Sequence, residues 1–337
     1  MQTTGENRPF HIGADNMQIN SYDDSNLKKN KNFFKKIFIT GGSGLLGSNL
    51  IQMYGSKYTI YSNYFKNRVN FNNIKYKLYK MDITDKNQIK IISKIKPNTI
   101  IHCAAFVNVD ECEKNPEKAY LYNVTASENI ANISEENNSF LVHISTDSVF
   151  NGKKGDYTEK DKTDPINVYG KTKLEAENII MKTCSNYSII RTNIYGWNKQ
   201  DKLSLAEWII NLLQSNKKLN AFYDTIFTPI NVNNLSRAIF EIIEENIRGI
   251  INVTGIESCN KYEFAQNVAN VFNLDNKLIG KISIDDLNLP AKRGKNLSLN
   301  TTKAQSILKT KLFNVKEGLI EMKKLKDFGY VKDLKGK

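Results

Sequence analysis

The run KKIFIT, Lys35 to Thr40, is short and apolar and leads straight into Gly41-Gly42-Ser43-Gly44-Leu45-Leu46-Gly47, after which Leu45 to Tyr54 has helical character. A strand, a glycine turn and a helix in that order open a βα unit, which commits the chain to a parallel sheet. The glycines satisfy two spacings at once. Gly42, Gly44 and Gly47 fit G-x-G-x-x-G, while Gly41, Gly44 and Gly47 fit G-x-x-G-x-x-G. Either lets the backbone turn sharply and approach a pyrophosphate, which then sits on the positive end of the following helix. Alone the turn is a weak signal, because glycine also serves turns that bind nothing.

Its context supplies the rest. Strands are expected near Tyr58 to Ser62, Tyr76 to Lys80, Thr99 to Cys103, Phe140 to Ser145 and Tyr187 to Arg191. Between them fall helices at Asp85 to Ile95, one long helix at Pro116 to Glu136, and another opened by Tyr169. Alternation of this kind predicts an α/β fold: a doubly wound, Rossmann-type parallel sheet covered on both faces. Beyond Arg191 the alternation loosens. Helices are expected at Ser204 to Gln214, Val232 to Glu245, Lys261 to Phe272 and Thr301 to Leu308, which suits a smaller carboxy-terminal α/β substrate lobe. The expected organisation is an extension over 1–33, a dinucleotide-binding domain over 34–192, and a mainly substrate-binding lobe over 193–330 with some segments returning to the core.

A dinucleotide site of the NAD type usually places Asp or Glu about 20 residues beyond the turn to hold the ribose 2′-hydroxyl. None occurs here between Gly47 and Asp82, and the region after the second strand offers Ser62, Asn63, Lys66 and Arg68. Hydroxyls and cations suit a 2′-phosphate, so NADPH is expected over NADH. The plain alternative is that Lys66 and Arg68 are solvated surface charges.

Bulk properties exclude several classes. With 337 residues, 40% hydrophobic and 25% charged, the chain has globular values, and no apolar run approaches the ~20 residues needed to cross a membrane. Residues 1–33 are polar and aperiodic and read as disordered; they lack the apolar core of a secretory signal, and Glu6, Asp15, Asp23 and Asp24 argue against a transit peptide. Four scattered cysteines without a Cys-x-x-Cys pair, and only three histidines, suggest neither disulfides nor a metal site. A cytoplasmic protein is expected. The net charge of +13 raises the question of nucleic acid, but the lysines are spread end to end among asparagines and no binding motif is present. An anionic small molecule is the better partner for that charge.

The catalytic candidates lie in PINVYGKTKLEAE. Tyr169 and Lys173 are four residues apart, so on a helix they share a face. The same spacing occurs at Tyr76/Lys80 and Tyr195/Lys199. The former falls in an expected strand and the latter straddles Gly196 in a loop. Only Tyr169/Lys173 opens a helix, with Asp164-Pro165 as a turn before it, downstream of HISTDSVFNG, where Ser145, Thr146 and Asp147 end a buried strand. Ligands of doubly wound sheets bind outside such carboxyl ends. Hydride arriving at a carbonyl carbon leaves charge on oxygen that a proton donor must meet. A free tyrosine has a pKa of about 10, and an adjacent ammonium is expected to bring it down.

Together TGGSGLLG, HCAAFVNVDECEKNPEKAYLYNV, ISTDSVFNG, PINVYGKTKLEAE and IIRTNIYG strongly resemble the extended short-chain dehydrogenase/reductases, and within them the dTDP-4-dehydrorhamnose reductase group, over roughly Lys35 to Leu325. That family is NAD(P)-dependent and reduces the 4-keto group of a nucleotide-linked 6-deoxyhexose. The resemblance implies Thr146 as the hydroxyl on the substrate carbonyl, Tyr169 as general acid, and Lys173 as partner of the nicotinamide ribose. It implies that Gly41, Ser43, Gly44, Leu45, Leu46 and Gly47 cradle the pyrophosphate. Asp82 and Ile83 would approach the adenine, Ala104 and Ala105 line the groove, and Asn123 support the site. Val107, Asp147, Thr192, Trp197 and Arg293 would meet the substrate, a nucleotide sugar; a homodimer is a possible assembly, and no metal is implied.

Neighbouring activities differ at identifiable positions. The 4,6-dehydratases resemble this chain but carry Asp-Glu after the threonine, where Asp147-Ser148 stands here. Rhamnose enzymes commonly place an aromatic residue soon after the Arg-Thr that ends the sixth strand. Here Asn193-Ile194 follows, and Trp197 comes only beyond Gly196. The β subunit of methionine adenosyltransferase, an NADP-binding regulatory protein, is also similar and provides the alternative reading.

Overall fold

The computed structural model describes residues 35–72 and 74–336; the extension expected over 1–33 lies outside the described residues. Strand β1 (Lys36–Thr40) shows why the sheet is covered twice. Ile37 and Ile39 face one hydrophobic cluster and Phe38 faces the other, all fully buried. Successive side chains of a strand point to opposite faces, so an unbroken apolar run needs helices on both.

The sheet is completed by β2 (Thr59–Tyr64), β3 (Tyr76–Lys80), β4 (Thr99–His102), β5 (Phe140–Thr146), β6 (Tyr187–Thr192) and, from far along the chain, β11 (Gly249–Asn252). All seven pair in parallel, in the order β11-β6-β5-β4-β1-β2-β3. The order reverses between β1 and β4, which leaves a crevice at their carboxyl ends.

Helices α1 (Leu45–Tyr54) and α2 (Lys86–Ile95) follow β1 and β3. A short helix, α3 (Val109–Lys114), comes first, and the long helix expected at Pro116 to Glu136 follows as α4 (Pro116–Tyr120), a π turn at Leu121–Thr125 and α5 (Ala126–Glu136). Helix α6 (Val168–Thr183) crosses to β6.

The second half is built from short pieces. Strands β7 (Ile194–Tyr195), β8 (Leu219–Phe222), β9 (Ile226–Phe227), β10 (Ile230–Asn231), β12 (Cys259–Asn260) and β13 (Ile279–Ile282) form three two-stranded ribbons, β7 with β10, β8 with β13 and β9 with β12. They are joined by α7 (Leu205–Gln214), α8 (Val232–Glu244), α9 (Lys261–Phe272), α10 (Thr302–Ile307), α11 (Val315–Asp327) and α12 (Tyr330–Lys335). Among the described residues all four cysteines are free, no group of metal-ligating side chains occurs, and no helix is long and apolar enough to cross a membrane.

Candidate active site

The crevice above β1 and β4 is a cleft of about 760 Å³. Gly41 begins the turn with φ +69, and a Cβ there would stand 3.0 Å from the Ala104 backbone. Gly42 packs on Ser62 and Ile51, and a Cβ on Gly47 would fall 2.3 Å from the Gly41 carbonyl oxygen. Both glycine spacings are therefore used: Gly41 for backbone conformation, Gly42 and Gly47 for close packing. Gly44 is the N-cap of α1 without a side-chain cap, and with Gly41, Ser43, Leu45 and Leu46 it lines the cleft. Uncapped N–H groups at a helix start suit an anion, so the turn fits a pyrophosphate.

Ser62, expected at the ribose, is elsewhere: it is 0% exposed and donates to the Ile39 carbonyl at 2.6 Å, underneath the turn. Its neighbour Asn63 takes the cleft position, accepting from Gly41 N at 3.0 Å and donating to the Met81 carbonyl at 3.1 Å. Lys66 borders the cleft, whereas Arg68 lies in an adjoining hollow with Lys199, Lys202 and Lys335. Asp82 and Ile83 line the far end, and Ala104, Ala105 and Val107 form one wall. Asn123 sits behind that wall on the π turn, accepting from Phe106 N at 2.7 Å and donating to Thr172 Oγ1 at 3.0 Å.

At the end of β5, Thr146 Oγ1 donates to Asp147 Oδ1 at 3.0 Å and accepts from Ser148 N at 3.2 Å. Asn167 caps α6 by accepting from Gly170 N at 2.9 Å. A Cβ on Gly170 would fall 2.1 Å from the Ser148 carbonyl, so a glycine there lets α6 start against the turn that carries Thr146. Tyr169 thereby comes within hydrogen-bond reach of the Thr146 side chain. Lys173, one turn on, is 2% exposed and borders the same cleft.

Electrostatics correct one expectation. Burial pushes the Tyr169 phenol above its ordinary value, with the Thr146 hydrogen bond opposing, and Lys173 is not what governs it. The lysine is engaged with β5: Nζ lies 3.0 Å from His143 Nε2 and donates to the Ile144 carbonyl at 2.8 Å. Burial brings Lys173 down to about 8, and the Glu177 carboxylate opposes that shift. Glu177 is itself fully buried, paired with Arg191 at 2.7 Å and hydrogen-bonded by Ser145.

On the expected substrate side the placements diverge. Asp147 and Thr192 border the cleft. The Asp147 carboxylate is filled by internal donors, Thr146, Ser148 at 3.2 Å and Asn193 at 2.6 Å, and burial raises its pKa. Trp197 is away from the cleft; it is 6% exposed, and its indole donates to the Met322 carbonyl at 2.7 Å in the core. Arg293 is also outside the lining and pairs with Asp110 at 2.9 Å.

Sequence reasoning missed His143 and Gln200, as well as Lys261, which opens α9 with its ammonium 3.0 Å from the Phe227 ring centre. Burial lowers Lys261 to about 8 while the Asp147 charge opposes the shift. His143 heads the motif HISTDSVFNG but had no role there, and no motif announced Gln200 or Lys261, whose positions only the fold decides.

A switch-point cleft with a glycine turn at one end and a Thr/Tyr/Lys set at the other defines an oxidoreductase of the extended short-chain dehydrogenase/reductase class. Within it, the chain belongs to the family described as the RmlD substrate binding domain, whose family model matches residues 35–327. A solved structure of a hypothetical dTDP-4-dehydrorhamnose reductase from Sulfolobus tokodaii is 33% identical, covering 83% of this chain and 97% of that one, with a TM-score of 0.74. The dTDP-4-dehydrorhamnose reductase of Bacillus anthracis in complex with NADP is 26% identical, covering 86% and 98%, with a TM-score of 0.75. Among curated relatives, a probable low-salt glycan biosynthesis reductase from Haloferax volcanii is 27% identical over 80% of this chain and 91% of its own. Methionine adenosyltransferase 2 subunit beta from Rattus norvegicus is 29% identical over 81% and 82%.

Proposed function

We propose that this protein uses NADPH to reduce the 4-keto group of a nucleotide-linked 6-deoxyhexose, as the dTDP-4-dehydrorhamnose reductases do. The observation that carries this reading is the convergence of Thr146, Tyr169 and Lys173 on the cleft that the glycine turn opens. When bound, NADPH would supply a hydride to the carbonyl carbon. Gly41, Ser43 and Gly44 would hold its pyrophosphate, Lys66 a 2′-phosphate, and Lys173 its nicotinamide ribose. Tyr169, kept protonated by burial, donates its proton to the carbonyl oxygen. Thr146, by turning its single hydroxyl hydrogen away from Asp147, would orient that oxygen and then stabilise the phenolate left on Tyr169.

The test is NADPH oxidation at 340 nm with dTDP-4-dehydro-L-rhamnose. Tyr169→Phe should lower kcat roughly a hundredfold or more while the Kd for NADPH stays unchanged, following the usual size of general acid effects. Equal turnover in the two proteins would remove Tyr169 from the mechanism. Comparing KM for the two cofactors checks the Lys66 assignment, and a clear NADH preference would overturn it.

A second reading is supported by the comparable similarity to methionine adenosyltransferase 2 subunit beta. A regulatory subunit would bind NADPH, co-purify with its synthetase and turn over no sugar.

A further inference from the structure

The catalytic lysine is held from beneath by a histidine with no place in the reaction as derived so far. His143 lies in the middle of β5, fully buried, with Nε2 3.0 Å from Lys173 Nζ. An ammonium can only donate, so Nε2 must accept, which puts the ring proton on Nδ1. Nδ1 is buried and has no partner among the described residues. A buried donor left without a partner destabilises the fold. His102, on the neighbouring strand β4, does not relieve it. Its ring centre is 5.2 Å away, its Nδ1 lies 2.7 Å from Thr40 Oγ1, and its Nε2 lies 3.1 Å from Ser127 Oγ. The one polar contact that fixes the His143 ring is therefore Lys173.

We propose that His143 is the positioning residue for Lys173: its Nε2 and the Ile144 carbonyl take two of the three ammonium hydrogens and leave the third directed at the cleft. This rests on the reading of Lys173 as the group that holds the nicotinamide ribose. The charged and titratable groups facing Lys173 are His143 on β5, Glu177 on its own helix, His102 at the end of β4 and Cys103 just after it; those facing His143 are Lys173 and His102. Both histidines are held neutral by burial, so His143 remains an acceptor throughout the neutral range. Removing that acceptor takes a partner from the charged lysine, and its proton then leaves at lower pH.

The Lys173 side-chain NMR signal is followed against pH in the full chain without cofactor, alongside the NADPH Kd and the melting temperature. Loss of one acceptor is expected to lower the Lys173 midpoint by about one pH unit in His143→Leu, and to weaken NADPH about tenfold. In His143→Gln, whose amide oxygen can accept, both values should return towards native. Native midpoints in a folded Leu variant would overturn the proposal, as would an equal fall in both variants. Should the Leu variant fail to fold, the ¹⁵N signals of His143 in the native protein decide. A proton on Nδ1, with an Nε2 signal that moves in Lys173→Met, supports the contact, and a proton on Nε2 refutes it. Absence of NADPH binding by the native protein would sink the ribose role and the proposed function with it, while the lysine titration still reports on the contact itself.

Discussion

Burial acts in opposite directions on two side chains one helical turn apart. It raises Tyr169, which therefore keeps its proton, and lowers Lys173 to about 8, which therefore loses its charge first as pH rises. The kcat/KM for NADPH-dependent reduction should fall above about pH 8 as Lys173 deprotonates, with no separate Tyr169 limb below it. A pH–rate profile checks this, and Glu177→Gln should move the limb to lower pH by removing the charge that opposes the shift. The same variant unbalances the buried pair with Arg191, so urea unfolding should show a loss of about 3–5 kcal/mol. The Tyr169 and Lys173 positions were legible because a helix start fixes which residues share a face, and the Thr146 position because it ends the buried strand β5. Ser62 was misplaced for a matching reason. Neighbouring strand residues point to opposite sides, so one position decides whether a side chain meets the cleft, as Asn63 does, or the underside of the turn.

Among the elements, the glycine turn is the most constrained. Gly47→Ala would drive a Cβ against the Gly41 carbonyl, and the turn must shift to admit it. The expected result is a loss of about 1–3 kcal/mol of stability, the usual cost of overpacking, with a larger loss of NADPH affinity than of stability. Fluorescence titration beside thermal unfolding separates the two effects, and native NADPH affinity would show that the turn has no part in binding. Strands β1, β4, β5 and β6 could be read because each is a buried, largely apolar run, whereas β2 and the edge strand β3 are only partly buried and were placed by the alternation around them. The two-residue strands β7, β9, β10 and β12 are too short for any period to show. The return of β11 to the sheet depends on a pairing with β6 made across some sixty residues of sequence, as Ile250 opposite Ile189 illustrates.

At the scale of the molecule, the segment after β7 reaches back across the mouth of the cleft. Gln200 donates to the Ser43 carbonyl at 2.5 Å and accepts from Asn67 at 2.9 Å, so one side chain from the second half ties down both the glycine turn and the loop after β2. Gln200→Ala should raise the NADPH Kd about threefold to tenfold, the worth of one or two hydrogen bonds, chiefly through faster release. Stopped-flow displacement reads that rate, and an unchanged rate would mean that the tie does not restrain the cofactor. Such a connection was beyond sequence reasoning, since 157 residues separate its ends. The π turn at Leu121–Thr125 has a consequence of another kind. It is a phase slip: one surplus residue rotates everything after it by about 100° relative to an uninterrupted helix. Asn123, in the middle of that turn, meets both Phe106 and Thr172. Deleting a single residue from the turn would leave every side chain chemically intact and the helix more regular, yet it would unlatch the cleft wall from the helix that carries Tyr169 and Lys173.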